Sequence, residues 1–132
     1  ARVTKLRRLR QVFGGGMRQV GILAAAGIYA LDHHISRLND DHQNAKRLAQ
    51  LLESIPSVSC HSAEVETNMI LFQVNTSTWS TDELLSQCEQ AGVLLNAVGD
   101  RRFRVVTHLD VSAEDIEEAG RIFTSVLTPK EK

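Results

Sequence analysis

At 132 residues and 14.6 kDa the chain has the length of one domain, enough to bury a hydrophobic core without staples. Hydrophobic residues make up 42% and charged residues 23%, which excludes wholesale disorder, and with only 2 Pro and 8 Gly collagen-like or proline-rich linker material is excluded as well. Two cysteines, Cys60 and Cys88, are too few for a disulfide framework or an all-cysteine zinc site and fit a reducing compartment.

The net charge of −1 hides an asymmetry. Residues 1–18 carry Arg2, Lys5, Arg7, Arg8, Arg10 and Arg18 and no acid, whereas the remainder holds nine bases against 16 acids. That distribution excludes a uniformly basic nucleic-acid binder but leaves room for a local anion site. The longest apolar run, Val20–Leu31, is well short of the roughly 20 residues needed to span a bilayer. No signal peptide is legible, because the basic start is followed by Gly14–Gly16 and Arg18 rather than by an apolar stretch and a cleavage site. With no initiator Met, and opening inside an Arg/Lys-rich helical pattern, the chain reads as a piece of a longer protein.

In chain order, Val3, Leu6, Leu9, Val12 and Phe13 recur at helical spacing and predict a helix over 3–13. Gly14-Gly15-Gly16 interrupts it, since each glycine inside a helix costs about 1 kcal/mol. A second helix is expected from near Met17 to His33. It is apolar almost all round, with Gly21, Ala24, Ala25 and Gly27 small enough to admit a close neighbour, so it should be buried, partly against a subunit or a further domain. A third helix from Ile35 to about Ile55 is amphipathic, with Ile35, Leu38, Ala45, Leu48, Leu51 and Leu52 on one face, and Pro56 ends it.

Val58–His61 and Thr67–Asn75 read as strands. A polar loop over Asn75–Ser80 follows. Ser80 or Thr81 caps a helix reaching about Gln90, with Asp82 and Glu83 in its first turn, and Gly92 stops it. Val93–Leu95 is expected as a short strand, Asn96, Gly99 and Asp100 as a turn, and Phe103–Val106 as the last strand. Ser112 caps the final helix with Asp115 as the acidic partner of a capping box, and the helix ends near Leu127 before Pro129. The order implies an α+β domain with a small antiparallel or mixed sheet and helices on one face, preceded by long linking helices. Residues 1–34 form the linking region and 35–132 the small domain.

Two features carry anion chemistry. Gly14-Gly15-Gly16-Met17-Arg18 combines permissive backbone, a following helix start and a fixed planar cation, which suits a phosphate or carboxylate; the same glycines also read as a plain hinge between helices. Arg101, Arg102 and Arg104 cluster at the last strand. Alternation puts Arg102 and Arg104 on one face and Arg101 with Phe103 on the other. A strand-end Arg can grip a carboxylate bidentately, or simply keep an edge strand solvated. His33, His34, His42, His61 and His108 show no zinc spacing, so structural roles are expected, with His108 near Asp110 a candidate for hydrogen bonding beside a site. No metal site is expected, and no cysteine is marked as a nucleophile.

Four blocks occur in order: GGGMRQ with its Ala-rich helix (Gly14–Leu31), RLNDDHQNAKRLAQ (Arg37–Gln50), TNMILF (Thr67–Phe72) and RVVTHLDV (Arg104–Val111). Over nearly the whole chain they resemble the C-terminal part of the low-specificity L-threonine aldolases. The resemblance implies the C-terminal small domain of a fold-type-I enzyme dependent on pyridoxal 5′-phosphate (PLP), cleaving L-threonine and L-allo-threonine to glycine and acetaldehyde. It implies a homo-oligomer, a dimer of dimers, with an amino-acid substrate, no nucleic-acid or membrane partner, and a cytoplasmic location, or a mitochondrial one in a eukaryote.

Residue by residue, Arg18 matches the arginine that reaches the cofactor phosphate of the neighbouring subunit, with Gly15 and Gly16 beside it. Arg104 matches the arginine that binds the substrate carboxylate. Where some members carry a second phosphate-contacting Lys, this chain has Gln11. Lys5, Lys46, Lys130 and Lys132 are the only lysines, and none lies in a Schiff-base motif. The chain is therefore expected to hold no catalytic residue and to be inactive alone. The alternatives are a non-catalytic oligomerisation module, or part of another fold-type-I PLP enzyme such as a β-eliminating lyase.

Overall fold

The computed structural model describes residues 2–76 and 78–128. Ser77, Pro129, Lys130 and Lys132 therefore lie outside the described residues. The chain divides into two units, Ala1–Ser36 and Arg37–Lys132.

The first unit holds α1 (Arg2–Val12) and α2 (Gly21–His33). Gly14, at φ +77°, closes α1. The Gly14 N–H donates to the Gln11 carbonyl at 3.1 Å and the Gly15 N–H to the Arg10 carbonyl at 2.7 Å. That pair of bonds is a Schellman cap, which a positive-φ residue at the first of the two positions makes possible. α2 starts at Gly21, not near Met17 as expected. Gln19 takes φ +54°, a left-handed conformation that no helix can pass through, so Arg18–Val20 form a turn instead. Within this chain none of the α2 residues is buried, and Ile22 is 76% exposed.

The second unit is built on a four-stranded sheet of order β1-β2-β4-β3, from β1 (Val58–Ser59), β2 (Met69–Val74), β3 (Asn96–Gly99) and β4 (Arg102–Val106), antiparallel throughout. α3 (Leu38–Glu53), α4 (Thr81–Gln90) and α5 (Ala113–Leu127) complete it, with a single 3₁₀ turn at Ser62–Glu64. The expected α+β class with helices on one face is what forms. Ile70, Phe72 and Val74 of β2 and Phe103 and Val105 of β4 point to one side and are buried with Leu48 and Leu52 of α3, Leu84 of α4 and Ile116 and Phe123 of α5. Phe72 packs against Phe103 and edge-on to Phe123, with ring centroids 5.5 and 5.7 Å apart. Gly120 admits α3: a Cβ there would sit 2.5 Å from Leu51 Cδ1.

Both capping boxes form. Ser80 and Ser112 each accept from the backbone three residues on, and Glu83 and Asp115 each accept from the cap residue's N–H. α3 begins at Leu38, three residues later than expected.

The region after α4 departs from the expected pattern. Val93–Leu95 is not a strand, Asn96–Gly99 is, and the turn falls at Asp100–Arg101. A second Schellman cap explains the first change: with Gly92 at φ +94°, the Val93 N–H donates to the Cys88 carbonyl at 2.8 Å and is spent on the helix end. Thr81 explains the second, since its Oγ accepts from the Arg101 N–H at 2.9 Å and fixes Arg101 at φ +49°. Arg101 thus sits in the turn and donates to the Thr76 carbonyl at 3.0 Å, rather than sharing a strand face with Phe103.

Candidate functional site

Arg104 lies in the middle of β4 with Leu71 of β2 opposite on one side and Asn96 of β3 on the other. Phe103 and Val105 face the helices, so alternation turns Arg104 to the other, uncovered face of the sheet. Met69, Leu71 and Val106 share that face and are exposed. Arg104 itself is half-buried. Its Nε is covered and makes no hydrogen bond among the described residues. Neither does it join an ion pair there; those involve Arg37, Arg47, Arg101, His108 and Arg121. A half-buried guanidinium without an acceptor is an unusual expense in a folded chain, and it fits a carboxylate arriving from the open side.

The segment that follows is tied to α3. The buried Thr107 donates its hydroxyl to the Asp41 carbonyl at 2.6 Å and its N–H to the Asn68 carbonyl at 2.9 Å. The Asn68 carboxamide donates back to the Thr107 carbonyl at 2.7 Å. Asp41, itself buried, takes a two-pronged grip from Arg37 at 2.7 and 3.1 Å. Asn44 then holds the Val111 carbonyl at 3.1 Å. These bonds fix the end of β4 and so the base from which Arg104 extends. All of these residues sit in the sequence blocks already noted, but composition and periodicity do not mark Asp41, Asn44 or Asn68.

His108 is exposed; its Nδ1 accepts from the Asp110 N–H at 3.3 Å, a local turn contact. A cleft of about 450 Å3 runs past Thr107 and His108 between β4, α5 and Gly92–Leu94, and Arg104 does not line it. His33 stacks on Tyr29 with centroids 4.1 Å apart and bonds its carbonyl at 3.0 Å. Among the described residues no three His, Cys, Asp or Glu side chains are placed to hold a metal, and no helix is long and apolar enough to cross a membrane. Cys60 and Cys88 are buried and free, and burial pushes the Cys88 thiol up to about 11.

Arg18 belongs to the first unit, in the turn before α2, and makes no ion pair among the described residues. The N-terminus of α2 has no side-chain cap and no acid in its first turn. Its first N–H groups therefore lack the usual partners. The glycines divide their roles. The N–H groups of Gly14 and Gly15 are spent on the α1 cap, and a Cβ at Gly15 would sit 3.1 Å from the Arg10 carbonyl oxygen. At Gly16 the nearest atoms a Cβ would meet belong to the Gln11 side chain, at 3.2–3.3 Å.

The profile of the beta-eliminating lyase family matches residues 2–75. The chain is 38% identical to a probable low-specificity L-threonine aldolase 2 of Arabidopsis thaliana, over 94% of this chain and 35% of that protein. It is 41% identical to the low specificity L-threonine aldolase of Escherichia coli (strain K12), over 86% of this chain and 32% of that protein. The chain thus spans about a third of the length of these curated relatives. Among solved structures, a cystine C–S lyase in complex with its product cysteine persulfide superimposes with a TM-score of 0.56 over 67% of this chain and 23% of that one. At 19% identity that likeness is one of fold.

Proposed function

The chain belongs to the beta-eliminating lyase family, and from that premise we propose that it is the C-terminal part of a PLP-dependent threonine aldolase. The parent enzyme cleaves L-threonine and L-allo-threonine to glycine and acetaldehyde, and this part supplies anchors rather than reacting groups. The observation that carries the reading is Arg104, half-buried on an open sheet face with no acceptor for its Nε. The similarity to threonine aldolases over most of the chain supports it.

When bound, PLP supplies the electron sink for breaking the Cα–Cβ bond of the amino acid. Arg104 holds the α-carboxylate, which fixes the torsion about Cα and selects the bond to be cut. Arg18, the Gly16 backbone and the uncapped start of α2 offer a cation and N–H donors that fit a phosphate; Gly15 contributes by shaping the turn, its N–H being engaged. Small displacements of either anchor cost ~100-fold in rate. The Schiff-base lysine and the remaining reacting groups come from outside these 132 residues, so the chain alone is inactive. Residues 1–34 link it to that region, and the uncovered α2 packs against a second copy in a dimer of dimers.

A second reading, β-elimination within the same family, is favoured by the family description. Product analysis of the full-length, PLP-loaded protein separates the two. L-Threonine giving glycine and acetaldehyde is expected. Pyruvate and ammonia from L-serine or L-cysteine, with L-threonine untouched, would replace aldol cleavage by elimination.

A further inference from the structure

The orphaned Nε of Arg104 has a neighbour suited to it. β3 pairs with β4 so that Asn96 stands directly opposite Arg104, with Leu71 on the other side. Directly opposed residues of an antiparallel pair project to the same face with Cβ atoms roughly 5 Å apart. Leu71 offers nothing to a donor. Asn96 offers a carboxamide oxygen, and that side chain makes no hydrogen bond among the described residues; its exposure leaves it free to change rotamer. The β-bulge between Ala97 and Gly99 ends regular pairing one residue beyond Asn96, which makes Asn96 the last polar side chain in register with the guanidinium.

Burial divides the guanidinium in the same sense. Nε is fully covered without a partner, and neither terminal nitrogen is. A ligand arriving from the open face meets the two Nη groups, and Nε is reached more readily from within the sheet. We propose that Asn96 is a positioning residue for Arg104: its Oδ1 accepts the Nε–H and turns the guanidinium so that both Nη groups face the incoming carboxylate end-on. The proposal rests on the reading of Arg104 as the carboxylate anchor.

The test uses the full-length, PLP-loaded protein labelled with 15N-arginine. The Arg104 Nε–H resonance, assigned by its loss in Arg104→Ala, is expected to exchange slowly with glycine bound, to exchange fast in Asn96→Ala, and to stay slow in Asn96→Asp, which keeps an acceptor. Calorimetric titration with glycine is expected to show binding weakened about 10-fold by Asn96→Ala, the size of a lost bond to a charged group. In an Arg104→Ala background the same substitution should change nothing, because Asn96 acts through that side chain. Arg104→Ala that leaves glycine affinity intact overturns the anchor reading and this proposal with it. Arg104→Ala that weakens glycine while Asn96→Ala is neutral, or equally harmful in both backgrounds, overturns the Asn96 proposal alone.

Discussion

The two units use similar apolar material in opposite ways. α2 carries apolar residues on all sides and buries none of them, whereas α3 concentrates Ala45, Leu48, Ala49 and Leu52 on one face and buries all four. A helix with one apolar stripe can finish its packing against a single sheet; a helix apolar all round needs neighbours on several sides. The buried core therefore lies in the second unit, and the apolar surface of α2 is left uncovered within this chain. The second unit has its own core and presents Arg104 from it. The first carries Arg18 between two helices, neither of which buries a residue.

The division can be attacked by substitution in the 132-residue chain, followed by denaturant unfolding. Phe103→Ala removes an aromatic ring buried between Phe72 and the helices and should cost about 3–5 kcal/mol. Thr107→Val keeps the shape but leaves the Asp41 carbonyl without its donor, at a cost of about 1–3 kcal/mol. Ser112→Ala removes a helix cap and should cost about 1 kcal/mol at pH 7. Leu23→Ala in α2 should stay within about 0.5 kcal/mol; a loss as large as that of Phe103→Ala would show that the first unit has a core of its own.

The Ser112 substitution also carries a pH signature. Acceptance from the Ser112 N–H, then from its hydroxyl, holds the Asp115 carboxyl below the usual carboxylate range, and Glu83 is held down in the same way by Ser80. A carboxyl depressed in the folded state stabilises fully above its unfolded value and loses that contribution as pH falls through the folded one. The gap between wild type and Ser112→Ala should therefore be widest at neutral pH and narrow below the usual carboxylate range. Because the residue-112 N–H is common to both proteins, a gap independent of pH would show that the Ser112 hydroxyl does not bond the Asp115 carboxylate.

Local chemistry was legible in the sequence; pairing across the sheet was not. The Ser112–Asp115 box and Gly92 as a helix stop depend on residues within five positions of one another and form as expected; for α4, the structure chooses Ser80 over Thr81 as the cap and adds Glu83 as its reciprocal partner. The strand after α4 starts later than the sequence pattern suggests because the Val93 N–H has two rival uses, ladder or cap, and Gly92 decides for the cap. Alternation places Arg101 on a strand face because nothing local announces that Thr81, 20 positions away, takes its N–H. Arg104 was legible as a cation on an alternating strand. That it lacks an acceptor, and that Asn96 stands beside it, follows only from the order β2-β4-β3.

In the proposed function Arg18 and Arg104 hold two different anions, a phosphate and a carboxylate. The most direct test measures PLP affinity and glycine affinity side by side in the full-length protein for Arg18→Ala and Arg104→Ala. The account predicts that Arg18→Ala weakens PLP binding at least tenfold, and that Arg104→Ala leaves PLP affinity unchanged while weakening glycine by about tenfold or more, as expected for lost charge-assisted bonds. Equal effects of both substitutions on both ligands, or none on either, would contradict it.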